Sequence, residues 1–291
     1  MTTAATQPGV LRHVAVCVAD LERAIARYTA YGLVCRRRTS RFAWLDGATA
    51  GILLVVATPP ATPAPEWYAI GIGQICIATP DRHAWLAGIA GTDARPRAIA
   101  GSREGGHTYD TVIDDDGVVT ASAEVPAAPP DTTPWLAQVA FVTTDAARLS
   151  RFYADLTGGV STVGPRVRVA PADETGAAVD ALPTWVQGGT VTYAIWEYRA
   201  PAPYIPDPVS AHRLGYRSLS FVVGDLTAVA AQCRASGAQR LHVLDGAEQW
   251  YDPDGNLFEL IDARSPMAHA LPSATDPERH RRYGGLQPPP R

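Results

Sequence analysis

HVAVCVADLERAIARY, residues 13–28, joins a short apolar run to an Asp and then to an amphipathic stretch. The apolar run has the length of a buried strand, and the spacing after the Asp suits a helix. Asp20 sits where an N-cap belongs, because its carboxylate can accept from the exposed N–H groups of a first helical turn. The same grammar returns as QICIATPDRHAWLAGI (74–89), QVAFVTTDAARLSRFY (138–153) and SLSFVVGDLTAVAAQC (218–233). One such Asp says little. Asp20, Asp81, Asp145 and Asp225 at a single offset from a strand start mark an internal repeat.

Outward from each copy the chain predicts a hairpin. Its clearest form is AEQWYDPDGNLFELID (247–262), with an Asp-Pro-Asp-Gly-Asn turn between apolar strands. IDDDGVVTASAE (113–124) plays that part in the second copy, FAWLDGATAGILLVV (42–56) in the first and TWVQGGTVTYAIWEY (184–198) in the third. Trp44, Trp185 and Trp250 lie two residues before Asp46, Gln187 and Asp252, a spacing that sets the register; their rings either fill core or wall a pocket. Each repeat reads β-α-β-β-β, so the expected fold class is α+β, built of four βαβββ modules. Proline-rich joints at 57–66, 126–134 and 199–208 cannot extend the sheets they connect. Residues 1–9 and 265–291 are expected to be disordered ends.

Composition removes several classes of function. With 291 residues and 46% hydrophobic content, the chain can form two domains with cores of their own. A net charge of −4 is the wrong balance for a dedicated nucleic-acid binder. All 25 cationic residues are Arg, which excludes Schiff-base and P-loop lysine chemistry. No apolar run approaches the roughly 20 residues that span a bilayer. The start, MTTAATQPG, lacks a basic n-region and an apolar h-region, so a cytoplasmic protein is expected. Cys17, Cys35, Cys76 and Cys233 stand far apart and read as free thiols in a reducing compartment rather than as two disulfides.

LRHVAVCVADLERAIARY near the start and YDPDGNLFELID near the end resemble the vicinal oxygen chelate superfamily, which holds glyoxalases, bleomycin-resistance proteins and extradiol dioxygenases. The resemblance covers about 10–264, and four modules match the two-domain dioxygenase-like layout. Members pair modules so that eight strands curl into a cup. Carried over in sequence order, 10–125 forms an N-terminal domain from modules one and two, and 134–264 a C-terminal domain from modules three and four: two cup-shaped mixed-sheet domains.

In that family a divalent metal sits in the cup, held by the first residue of strand one and a Glu on the last strand of each module. The resemblance maps the strand-one positions onto His13, Gln74, Gln138 and Ser218. The last-strand position is Glu259, seven after Asp252; the same offset gives Leu53, Ala121 and Ala194. Glu124, Glu197 and Asp262 lie three residues later, and an odd shift along a strand turns them to the other face. In sequential pairing, one cup offers His13, Leu53, Gln74 and Ala121, and the other Gln138, Ala194, Ser218 and Glu259. An extradiol-type iron site needs two His and one carboxylate. Neither cup has them, so no metal ligand and no cofactor is assigned. A divalent metal keeps one route: a different pairing that brings His13 to Glu259, or ligands from His107, His212 or His242.

Without a metal, Glu259 is the first catalytic candidate. In an apolar cup, desolvation raises a carboxylate toward neutral pKa, where it serves as general base or acid; the alternative is a structural carboxylate tied to N–H groups or an Arg. His13 is the second candidate, as a proton shuttle or a core His. Gln138 and Ser218, on strand-one positions of the cup assigned to Glu259, could hydrogen-bond a substrate carbonyl or phenol, or be satisfied core groups. Gln74, in the cup with His13, and Trp185, Trp250 and the rim residue His107 complete the substrate-binding candidates. Seven Trp and eleven Tyr against five Phe suit a flat, oxygenated aromatic or polyketide-like ligand.

The first functional expectation is a metal-independent enzyme of secondary metabolism, catalysing dehydration, isomerisation or cyclisation of such a molecule. The second is an antibiotic-sequestering protein of the bleomycin-resistance kind, and the third a metal-dependent extradiol-type dioxygenase. Four modules in one chain favour the enzyme. The expected partner is a small molecule, with no nucleic acid and no membrane; a homodimer stays open.

Overall fold

A computed structural model describes residues 8–64, 69–97, 103–104, 107–125, 128, 132–169, 179–189, 191–198 and 212–269. Module one contains β1 (Val10–Val18), α1 (Leu21–Ala30), β2 (Val34–Arg38), β3 (Phe42–Asp46) and β4 (Gly51–Val56). Module two has β5 (Gly71–Thr79), α2 (Arg82–Ile89), β6 (Arg95–Arg97), β7 (Arg103–Glu104), β8 (His107–Ile113) and β9 (Val119–Glu124). Module three has β10 (Trp135–Thr143), α3 (Ala146–Thr157), β11 (Val160–Val163), β12 (Val167–Val169), β13 (Val179–Gly188) and β14 (Val191–Tyr198). Module four has β15 (Gly215–Val223), α4 (Leu226–Ala235), β16 (Gln239–Leu244), β17 (Ala247–Tyr251) and β18 (Leu257–Asp262), followed by α5 (Pro266–His269).

The repeated Asp does in each module what its chemistry suggests. Asp20 accepts from Arg23 N at 3.0 Å, Asp81 from Ala84 N at 2.9 Å, Asp145 from Arg148 N at 2.9 Å and Asp225 from Ala228 N at 3.0 Å. Side chains alternate between the two faces of the strands: Val14, Val16, Leu219 and Phe221 enter one continuous core with α1 to α4, leaving His13, Ala15 and Ser218 on the opposite, cavity-lining face. The four cysteines are free thiols.

Both sheets are mixed and open. One runs β16-β17-β18-β15-β1-β4-β3-β2; the other runs β11-β13-β14-β10-β5-β9-β8-β6, with β12 beside β13 and β7 beside β8. Strand one of module one is parallel to that module's last strand, β4, and antiparallel to the first strand of module four, β15. β5 and β10 make the matching antiparallel joint between modules two and three.

The pairing therefore corrects the sequential one expected from 10–125 and 134–264: module one shares its sheet with module four, and module two with module three. All four first strands present equivalent edges, so the alternation of side chains selects a face but no partner. The joints reinforce the nested order. The segment leaving module one lies beside the segment entering module four: Thr62 N donates to His212 O at 2.7 Å and Leu214 N to Thr62 O at 2.9 Å. Modules one and two still meet through helix-side charges, where buried Arg27 of α1 reaches Asp93 at 2.6 Å and Asp114 at 2.8 Å.

Two smaller expectations also change. Residues 46–51 separate the paired Leu45 and Ile52, whereas 252–256, one fewer, separate Tyr251 and Leu257. Trp44 therefore pairs with Leu53 but Trp250 with Phe258, and the face reverses. Trp250 is fully buried in the core rather than walling the cup. The end expected to be disordered from 265 starts with α5, whose Ala268 packs on Ala247 and Ile261. At the other end, Gly9 N donates to Leu156 O at 2.8 Å. Residues 1–7 and 270–291 lie outside the described residues.

Candidate functional site

Strand registers test the repeat alignment directly. Within the modules, Ala15 pairs with Leu53, Cys76 with Ala121, Ala140 with Ala194 and Ser220 with Glu259. Leu53, Ala194 and Glu259 thus lie two residues on from the partners of His13, Gln138 and Ser218, and Ala121, opposite Cys76, occupies the equivalent position. The acidic residues three positions later serve elsewhere. Glu197 accepts from Ala146 N at the start of α3, and Asp262 pairs with Arg264.

Because modules one and four share a sheet, His13, Leu53, Ser218 and Glu259 line a single cavity of about 280 Å³. Successive registers align His13, Ser220, Glu259, Gln249 and His242 across five strands, giving a polar row over the sheet. The Ser220 hydroxyl donates to Glu259 Oε2 at 3.1 Å. Burial pushes the Glu259 carboxyl above the usual range, while Ser220, Arg12 and a hydrogen bond to Gln249 pull the other way.

His13 is 6% exposed, and its Nδ1 has no hydrogen-bond partner among the described residues. Its ring stands edge-on to Trp44 at 5.2 Å. Trp44 is seated over Gly51, the strand partner of His13, where an added Cβ would collide with the indole. Burial, helped by the Arg12 charge, holds the imidazole down to about 3. Such a group is neutral at pH 7. It can donate or accept a hydrogen bond there, and burial moves it away from the near-neutral titration that a proton shuttle uses.

Two arginines escaped the sequence reading. The β1–β15 ladder slips between Leu11 and His13, and again between Ala15 and Val16, which face Ser218 and Tyr216. Arg12 and Arg217 are the extra residues, and a bulge re-aims the side chain it carries. In the β5–β10 ladder the matching extra residues are Gly73 and Ala137. The signal was present in the repeat: the residue before the strand-one position is Arg only in modules one and four. Arg12 is 4% exposed, lies 5.8 Å from the Trp44 ring centroid and interacts with the charge of Glu259. Arg217 lines the cavity.

The remaining candidates do not join this site. Gln74 and Gln138 belong to the other sheet, on β5 and β10, so Gln138 does not face Glu259 and Gln74 does not share a cup with His13. That second cup has Gln or Ala at all four equivalent positions, and Trp185 packs there with Ala140, Ala194 and Trp196. His107 opens β8, and its side chain lies outside the described residues.

The donor set at the four positions of the first cup is one imidazole, one hydroxyl, one carboxylate and the alkyl group of Leu53. A divalent ion in this family's manner needs several nitrogen or carboxylate donors and charge compensation. Here Arg12 and Arg217 immediately precede two of the positions, and their charge opposes a dication. The nested pairing does bring His13 to the cup of Glu259, and His242 lines the same cavity, but the row spreads these three over five strands, and among the described residues no group of three His, Cys, Asp or Glu could hold an ion. The residues present do not fit the metal that the resemblance implies.

Comparison with known proteins agrees with the fold. Residues 10–121 match the Glyoxalase/Bleomycin resistance protein/Dioxygenase superfamily, and residues 138–261 match a Glyoxalase-like domain. Glyoxalase I from Zea mays is similar in structure, with 18% identity, a TM-score of 0.62, and coverage of 87% of this chain and 92% of that one. A putative dioxygenase from Bacillus subtilis subsp. subtilis str. 168 has 12% identity and a TM-score of 0.60, covering 98% of this chain and 99% of that one. At these identities the likeness shows the fold alone. No curated protein matches the sequence. The chain belongs to the vicinal oxygen chelate superfamily, as a two-domain member. No helix among the described residues is long and apolar enough to cross a membrane.

Proposed function

We propose that the cup of modules one and four binds a small aromatic or polyketide-like molecule, and that Glu259 moves a proton on it in a dehydration, isomerisation or cyclisation without a resident metal. The observation that carries this reading is Glu259 itself, a half-buried carboxylate facing the cavity and held by Ser220 Oγ at 3.1 Å. Desolvation strengthens it as a base, and a positioned general acid or base contributes roughly 10²–10⁴-fold to a rate. Neutral His13 and the Ser218 hydroxyl offer hydrogen bonds to substrate oxygen, while Leu53, Val55 and Leu257 give apolar wall.

The test is deuterium uptake from D2O by a panel of enolisable aromatic ketones, followed by NMR with wild type and Glu259→Gln. The variant is expected to lose at least about 100-fold of the exchange rate while keeping ligand affinity within roughly tenfold. Equal exchange by both proteins overturns the role of Glu259. Tight binding with no exchange by either makes the cup a sequestering site.

A further inference from the structure

An approximate two-fold relation maps β1 onto β15 and β4 onto β18. It places His13 with Ser218, Leu53 with Glu259, and the bulge residue Arg12 with the bulge residue Arg217. The two halves then differ in one respect. Arg12 has the Glu259 charge nearby. Arg217 lines the same cavity, but the position that matches Glu259 on its side is Leu53. Arg217 hydrogen-bonds with the Cys17 thiol and makes no ion pair among the described residues.

Arg217 and Glu259 line the cavity, while Arg12 is buried next to it within reach of the Glu259 charge, so two guanidinium groups share one carboxylate. His13 is buried beside Arg12, with its Nδ1 unpartnered among the described residues. Arg12 is 4% exposed, and its Nε and Nη2 have no hydrogen-bond partner among the described residues. Arg217, half-buried on the cavity wall, is the guanidinium that a ligand can reach, and such a fork matches a carboxylate in two parallel bonds. The cavity of about 280 Å³ suits a molecule of about one ring.

We infer that the ligand of this cup is an organic acid whose carboxylate sits against Arg217, in the place that Leu53 leaves without charge, with the rest of the molecule directed toward Glu259. This rests on the reading of the cup as a small-molecule site and names the class of molecule; it does not depend on Glu259 transferring a proton. Arg217 is the residue that selects for the acid.

Benzoate and its uncharged isostere benzamide are the probes, titrated calorimetrically at pH 7 and low salt into the full chain. The wild type is expected to bind benzoate at least tenfold more tightly than benzamide. Arg217→Met should erase that preference, and Arg217→Lys should keep part of it. The preference is read as binding, with no turnover involved, so a failure of the proton-transfer reading leaves this result standing. Equal binding of the two probes, benzoate binding weaker than roughly 10 mM, or a preference that survives in folded Arg217→Met overturns the inference. If Arg217→Met does not fold, the wild-type comparison and the Arg217→Lys variant decide in the same terms.

Discussion

The Ser220 hydroxyl donates to Glu259 Oε2 at 3.1 Å across the parallel pairing of β15 with β18. It stabilises the ionised carboxylate against the cost of its own burial. Ser220→Ala is therefore expected to raise the Glu259 midpoint by up to about 1 pH unit, ~1.4 kcal/mol. In a pH profile of deuterium exchange, the rising limb should move to higher pH by that amount. An unmoved limb would mean that Ser220 lends the carboxylate nothing.

Burial raises Glu259 in the folded state above its unfolded value. The folded protein then holds that proton more tightly, so the stability linked to it is present below the unfolded value, about 4.3, and is lost as pH rises through the folded value. Glu259→Gln removes the loss. Urea unfolding should show the variant more stable than wild type by on the order of 1 kcal/mol at pH 8, with no difference near pH 4. A variant less stable at pH 8 would identify a structural carboxylate.

His13 has the opposite sign. Burial holds it down to about 3, so the stability of the neutral ring is present above its unfolded value near 6.5 and is lost as pH falls toward 3. His13→Phe keeps an aromatic ring beside Trp44 and should flatten the fall in unfolding free energy between pH 6.5 and 4. An equal fall in both proteins would place the acid sensitivity elsewhere.

Arg27 is fully buried and reaches Asp93 at 2.6 Å, Asp114 at 2.8 Å and Asp116 at 3.4 Å. Arg27→Met leaves three carboxylates without their central cation, an expected cost of about 3–5 kcal/mol. Burial already pushes Asp114 up to about 6, so its contribution to stability fades as pH rises from about 4 toward 6. The variant should be rescued in part at pH 5 relative to pH 8 in denaturant unfolding. A cost below about 1 kcal/mol at pH 8 would show the network to be dispensable.

Local features were legible in the sequence because their causes are local. Asp20 caps α1 through a neighbour three residues away, and the seven-residue step from Asp252 to Glu259 finds Leu53, Ala121 and Ala194 in the other modules. The partner of each module was not legible, since four equivalent strand edges carry the same alternation. That choice decides the site: it separates Glu259 from Gln138 and brings it to His13. Trp250 was misplaced by one turn residue, which reverses a face. Arg12 and Arg217 were hidden because a bulge breaks the period-two pattern by which facing is read.

Glu259 is proposed to be an uncoordinated, desolvated carboxylate in the cup of modules one and four. A 13C NMR titration of its side-chain carboxyl, with and without added zinc or manganese, tests this most directly. The predicted result is a midpoint clearly above the ordinary glutamate value of about 4.3, unchanged by the metals. A midpoint at or below that value, or one that equimolar metal drives sharply downward, would contradict it.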